Sequence, residues 1–209
     1  MLTPLFDPKW SPTFAGGDGH GSSVRRFLGL RRAGRTMRRR RSWRLVVACL
    51  VALAMTVVDQ GTKALALAQL SEQERIPLIG DLLGLQLAFN PGTVMSLGSS
   101  STWVFTLVGI VAVIALFYAA WRAPSTMWAV AIGFVWGGAI GNLIDRLFAP
   151  PGFGRGHVTD FLAYGNLFIG NIADIAIGVG VGLGILQMLR SHRSQPRSEH
   201  PAATPTHEK

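Results

Sequence analysis

The chain has 209 residues, of which 49% are hydrophobic and only 15% charged, and its mean hydropathy is +0.34. Soluble domains usually carry about 25% charged residues, so the composition argues against a soluble globular protein. The net charge of +9 is concentrated, with ten arginines in residues 25–44 and no Asp or Glu between Asp18 and Asp59. Such a block could suit nucleic acid, but the apolar run "LVVACLVALAMTVV" follows at once. It therefore reads as the cytoplasmic flank of a membrane helix, and no nucleic-acid partner is expected.

In chain order, residues 1–44 are rich in Gly, Ser, Pro and Arg and are expected to be a disordered cytoplasmic tail. Met37, opening "MRRRRSWR", is an alternative start. The first span is expected over 45–68, since about 20 apolar residues cross a bilayer. Cys49, the only cysteine, lies within it, so no internal disulfide can form. "ALALAQ" (64–69) resembles a signal-cleavage site, but Asp59, Gln60 and Lys63 separate it from the apolar core and three more spans follow. Residues 82–89, "LLGLQLAF", alternate Leu83, Leu85, Leu87 and Phe89 with the period of a strand, and "NPGT" reads as a turn. Further spans are expected over 102–121, 127–148 (stopped by Pro150 and Pro151) and 168–189. A second disordered tail is expected over 191–209, leaving 45–190 as the membrane domain. With both termini inside, 16 Lys and Arg lie inside and four outside, a strong positive-inside bias. The expected architecture is an all-α membrane protein of four helices, with a small extracytoplasmic β element between the first two.

Four aspartates then share one end of the bundle. Asp59 and Lys63 lie in the outer third of the first helix, and Asp145 and Arg146 at the outer end of the third. Asp160 falls in the outer loop 149–167. Asp174 lies about 9 Å into the fourth helix, just under the outer interface rather than at mid-membrane. "GNLID" (141–145) and "GNIAD" (170–174) repeat Gly-Asn-x-x-Asp. On antiparallel helices their Asn–Asp faces can meet, with Gly137, Gly138, Gly141, Gly178, Gly180, Gly182 and Gly184 allowing close approach. Asp59 has Lys63 one turn on, and Asp145 has Arg146 beside it. Asp160 and Asp174 have no cation at helical spacing. Two such carboxyls can share a proton, one acting as acid and one as base, to activate water against a carbonyl. No G-x-S-x-G or H-E-x-x-H occurs, and with one histidine (His157) near the spans a metal site is not expected. The competing reading is a proton-coupled transporter or assembly factor, since intramembrane acids also mark proton paths. Transporters bind near the midplane between repeats, whereas these acids gather at one face.

The ordered blocks "DQGTK" (59–63), "NPGTVMSL" (90–97), "GGAIGNLIDR" (137–146), "HVTDF" (157–161) and "GNIADIAI" (170–177) resemble the lipoprotein signal peptidases, signal peptidase II, over about residues 43–190. The resemblance implies a four-helix aspartyl endopeptidase of the bacterial cell membrane, working at the extracytoplasmic face without a cofactor. It would cut prolipoproteins before the diacylglyceryl cysteine, meeting this substrate from membrane lipid. It implies Asp160 and Asp174 as the catalytic pair. Asn90, Gly92, Asn142, Arg146 and Asn171 would line the substrate site, with Asp59, Lys63 and Asp145 in support. The chain departs from the family pattern at Met95 and Gly170, where aromatics are usual. It also departs in "APPGFGRG", which lengthens the link from Asp145 to Asp160, and in "LAYGNLFIG", which shortens the next one.

Overall fold

The computed structural model describes residues 19–92 and 102–193. In chain order the elements are α1 (Gly19–Gln69), β1 (Ile76–Ile79), β2 (Leu83–Asn90), α2 (Thr102–Trp121), α3 (Thr126–Phe148), β3 (Val158–Tyr164), β4 (Phe168–Gly170) and α4 (Ile172–Arg193). Among the described residues, four helical stretches are long and apolar enough to cross a membrane: Arg39–Gln69, Thr102–Trp121, Thr126–Phe148 and Ile172–Ser191. Their outward faces expose large apolar side chains such as Leu53, Val57 and Ile114, as lipid surroundings require.

Two boundaries differ from expectation. Residues 19–44, read from composition as disordered, are helical. No proline lies between Pro12 and Pro77, and the many arginines are good helix formers, which offsets the four glycines of the stretch. The rest of both expected tails, residues 1–18 and 194–209, lies outside the described residues, as does Met95. The fourth helix starts at Ile172 rather than 168, because 168–170 form β4.

The β element between the first two helices is present as the antiparallel hairpin β1–β2, but it is half of a larger sheet. β3, from the stretch expected to be an outer loop, and β4, from the expected start of the fourth span, complete four antiparallel strands in the order β1-β2-β3-β4. Ala88 stands opposite Asp160, Asn90 opposite Val158, and Leu162 opposite Gly170. The strand in "VTDFLAY" gives no alternating signal because Val158 through Phe161 are all buried. Strands covered on both faces lose the apolar–polar period.

α3 is central and packs through glycine. Gly133, Gly137 and Gly141, one turn apart, face α1. A Cβ would lie 2.9 Å from the Ala48 carbonyl oxygen at Gly133 and 2.6 Å from the Ala52 carbonyl oxygen at Gly137, and would collide with the Asp59 carboxylate at Gly141. Gly180 of α4 similarly meets the Ala131 carbonyl at 2.6 Å, whereas Gly178 and Gly182 meet nothing within 4 Å. Small residues therefore bring α1 and α4 close against two different faces of α3. At the sheet end, Ala66, Leu87 and Phe161 form a buried apolar cluster joining α1 to β2 and β3.

Candidate active site

The site is built from its floor. Lys63 of α1 is 2% exposed and places its ammonium 2.8 Å from Asp59, 2.8 Å from Asp145 and 2.9 Å from the Asn142 side-chain oxygen. All three ammonium protons are thereby used. The expected Asp59–Lys63 pair is present. The expected Asp145–Arg146 pair is not: adjacent helix residues point apart, and Asp145 turns instead to Lys63. Each carboxylate also accepts a backbone N–H. Asp59 Oδ1 takes that of Ala173 at 2.9 Å, and Asp145 Oδ2 takes that of Thr159 at 3.0 Å. Ala173 immediately precedes Asp174, and Thr159 immediately precedes Asp160. One buried lysine thus ties together the two anchors that hold the backbone before each aspartate of the pair. Gln60 braces this floor, donating to Gly141 O and Asp145 Oδ1 at 3.1 Å each.

The two aspartates meet over Asn171. Its backbone N–H donates to Asp174 Oδ2 and its Oδ1 accepts the Asp174 N–H, both at 3.1 Å. This reciprocal cap opens α4. Asn171 therefore stands just before the helix, not on its face as the repeat suggested. Its amide also donates to Asp160 Oδ1 at 2.6 Å and to Asn142 Oδ1 at 3.1 Å. Asn142 in turn donates to Asp174 Oδ1 at 3.3 Å, so the two Gly-Asn-x-x-Asp segments do meet. The environments of the pair differ. Asp160 is buried on β3 and Asp174 is exposed. Burial pushes the Asp160 carboxyl up to about 6 and the nearby Asp174 adds to this, against the hydrogen bonds from Asn90 and Asn171 and the charge of Lys63.

The rim comes from β2, α2 and α3. Asn90 hydrogen-bonds Asp160, and its Oδ1 accepts the Gly92 N–H at 2.8 Å. Gly92 has φ of +88°, and a Cβ there would lie 2.7 Å from the Phe105 ring. The Arg146 guanidinium lies over the same ring at 5.3 Å and reaches the Pro91 carbonyl at 3.5 Å. Of the residues singled out from sequence, Asp59, Lys63, Asn142, Asp145, Asp160, Asn171 and Asp174 form one hydrogen-bonded network. Asn90 joins through Asp160, and Gly92 and Arg146 sit at the rim. Gln60, Thr159, Ala173 and Phe105 escaped notice. Thr159 and Ala173 act through backbone N–H groups, and Phe105 is one apolar residue in an apolar span. At Gly170 a Cβ would lie 2.8 Å from Asp174 Oδ2, so an aromatic there would require the carboxylate to move.

The chain matches the family described as signal peptidase (SPase) II over residues 51–190, a stretch containing every residue of this network. It belongs to the signal peptidase II family. It is 47% identical over 150 residues to the lipoprotein signal peptidase of Leifsonia xyli subsp. xyli strain CTCB07, covering 70% of this chain and 68% of that one. It is 47% identical over 147 residues to the lipoprotein signal peptidase of Bifidobacterium longum strain DJO10A, covering 70% and 80%. Among solved structures, a bacterial membrane enzyme studied by the in meso method superimposes with a TM-score of 0.61 at 27% identity, over 73% of this chain and 93% of that one.

Proposed function

We propose that this signal peptidase II is an aspartyl endopeptidase that removes the signal peptide from diacylglyceryl-modified prolipoproteins, cutting before the lipidated cysteine, with Asp160 and Asp174 as its catalytic pair. The observation that carries the reading is the Asn171 bridge, which brings a buried carboxyl and an exposed one together at one end of a membrane bundle. Asp160 holds the shared proton and Asp174 is the base. Asp174 takes a proton from water as the water oxygen bonds to the scissile carbonyl carbon. Asp160 gives its proton to the carbonyl oxygen, forming a gem-diol. Asp174 then passes its proton to the departing nitrogen while Asp160 recovers one from a gem-diol hydroxyl. The C–N bond breaks, and both carboxyls return to their starting states. Asn142 and Asn171 fix the two carboxyls during this cycle, and Arg146 and Asn90 border the space where the peptide would lie.

In this reading the chain sits in the bacterial cell membrane with both termini inside and the pair at the extracytoplasmic face. The arginine block before the first span supports this orientation. A substrate whose acyl chains stay in lipid can then deliver its peptide bond to a pair near the interface. Purified chain should cleave a diacylglyceryl prolipoprotein and leave the unlipidated precursor intact. Equal cleavage of both would remove the lipid from the specificity, and cleavage of neither would overturn the assignment.

A further inference from the structure

We propose that Phe105, an α2 residue outside the motif blocks, is a positioning residue: its ring seats the Asn90–Gly92 turn and the Arg146 guanidinium so that both face Asp160. The inference rests on the dyad reading above.

Two contacts converge on this ring. The Gly92 α-carbon approaches so closely that an added Cβ would fall 2.7, 2.9 and 3.0 Å from three ring carbons. With φ of +88° at Gly92, a conformation that favours glycine, the turn is shaped to rest on the ring. Arg146 stacks on the ring at 5.3 Å while reaching the Pro91 carbonyl at 3.5 Å, so guanidinium, ring and turn hold one another. The turn in turn fixes Asn90, whose Oδ1 accepts the Gly92 N–H at 2.8 Å. Asn90 hydrogen-bonds Asp160. Stacking on an aromatic face suits a planar guanidinium and orients it.

The consequence has a sign. Asp160 faces Asp174 from α4, Lys63 from α1, Arg146 from α3, and the amides of Asn90 and Asn171. The Asn90 bond favours the ionised carboxylate and opposes the effect of burial. Losing the ring frees the turn, weakens that bond and leaves Asp160 holding its proton to higher pH. A side chain that merely filled space would lower stability without moving this titration.

The test compares Phe105→Leu, which keeps apolar bulk without the flat face, with Phe105→Tyr, which keeps the face. Cleavage of a diacylglyceryl prolipoprotein is followed against pH, and the protonated Asp160 carboxyl is titrated by infrared spectroscopy, using the band lost in Asp160→Asn. Phe105→Leu should lower kcat/KM by roughly tenfold to hundredfold, as small misplacements of catalytic groups do, and shift both the alkaline limb and the infrared titration upward. Phe105→Tyr should stay near wild type in both. Gly92→Ala, which presses a methyl onto the ring, should shift them in the same direction. An unmoved titration in Phe105→Leu and Gly92→Ala, or equal losses in the Leu and Tyr variants, would overturn the proposal. Wild-type cleavage independent of Asp160 would instead remove the dyad reading, and the infrared titration would still decide the role of Phe105.

Discussion

Replacing Lys63 with methionine keeps the stem of the side chain and removes only its charge. The structure fixes what is lost. Lys63 is 2% exposed and its ammonium lies 2.8 Å from each of two carboxylates, one of them, Asp59, fully buried. Removing one partner of a buried ion pair leaves an uncompensated charge and costs about 3–5 kcal/mol, against about 0–1 kcal/mol for an exposed pair. For a chain of this size each kcal/mol corresponds to a Tm change of about 2–4 °C, so the expected fall is roughly 6–20 °C. It is measured by thermal unfolding of the purified protein in one detergent. Removing all three charges together, as Asp59→Asn, Lys63→Met and Asp145→Asn, should recover part of the loss, because no orphaned charge remains. Activity in Lys63→Met should fall well below the Tm, since Asp59 and Asp145 also hold the backbone before Asp174 and Asp160. A Tm within about 2 °C of wild type, together with unchanged turnover, would refute the claim that Lys63 ties the two anchors.

Gly141→Ala places a methyl against the pinned Asp59 carboxylate and should reduce both Tm and turnover. Gly178→Ala, on the same helix as Asp174 but with nothing within 4 Å, should be neutral or raise Tm through helix propensity, by up to about 1 kcal/mol; matching effects at the two positions would contradict the packing described. Asn171→Ala should lose the helix cap, about 1–2 kcal/mol, and reduce turnover more than the Tm loss explains, because the bond to Asp160 goes too. The pH profile of kcat/KM should be bell-shaped, with its alkaline limb near 6, where Asp160 loses its proton, the limbs belonging to the pair as a unit. Because folding raises the Asp160 pKa from 3.8 to about 6, its contribution to stability is full at low pH and lost as pH rises through this window; Asp160→Asn should flatten that part of the Tm–pH curve.

Much of this site was legible in the chain because its chemistry is local and polar. An aspartate inside an apolar run is conspicuous, and Asp59 with Lys63 one turn on reads directly as a pair. The repeat of Gly-Asn-x-x-Asp correctly foretold that Asn142 and Asn171 meet. The same local logic misassigned Asp145, because Arg146 is next in sequence but points elsewhere, and the true partner lies on another helix. The sheet was half visible. β2 carries its alternation in residue type, as Leu83, Leu85, Leu87 and Phe89, whereas Val158 through Phe161 of β3 are all buried and carry no period. The rim was hidden for a third reason. Phe105 gains its meaning from a turn more than ten residues earlier in the chain, and in sequence it is one more aromatic in a membrane helix. Residues 19–44 show composition misleading in the other direction, since an arginine-rich stretch without proline forms a helix here.

The most direct test of the central claim is single-turnover cleavage of a diacylglyceryl prolipoprotein by Asp160→Asn, Asp174→Asn and the double variant. Asparagine keeps the shape of each side chain but can act neither as carboxylate base nor as carboxylic acid. If the pair shares one proton, each single variant should lose cleavage while remaining folded and able to bind substrate. The double variant should be little worse than either, since residues acting as a unit are strongly non-additive. Substantial cleavage by either single variant, in protein shown free of wild-type enzyme and of deamidation back to aspartate, would contradict the account.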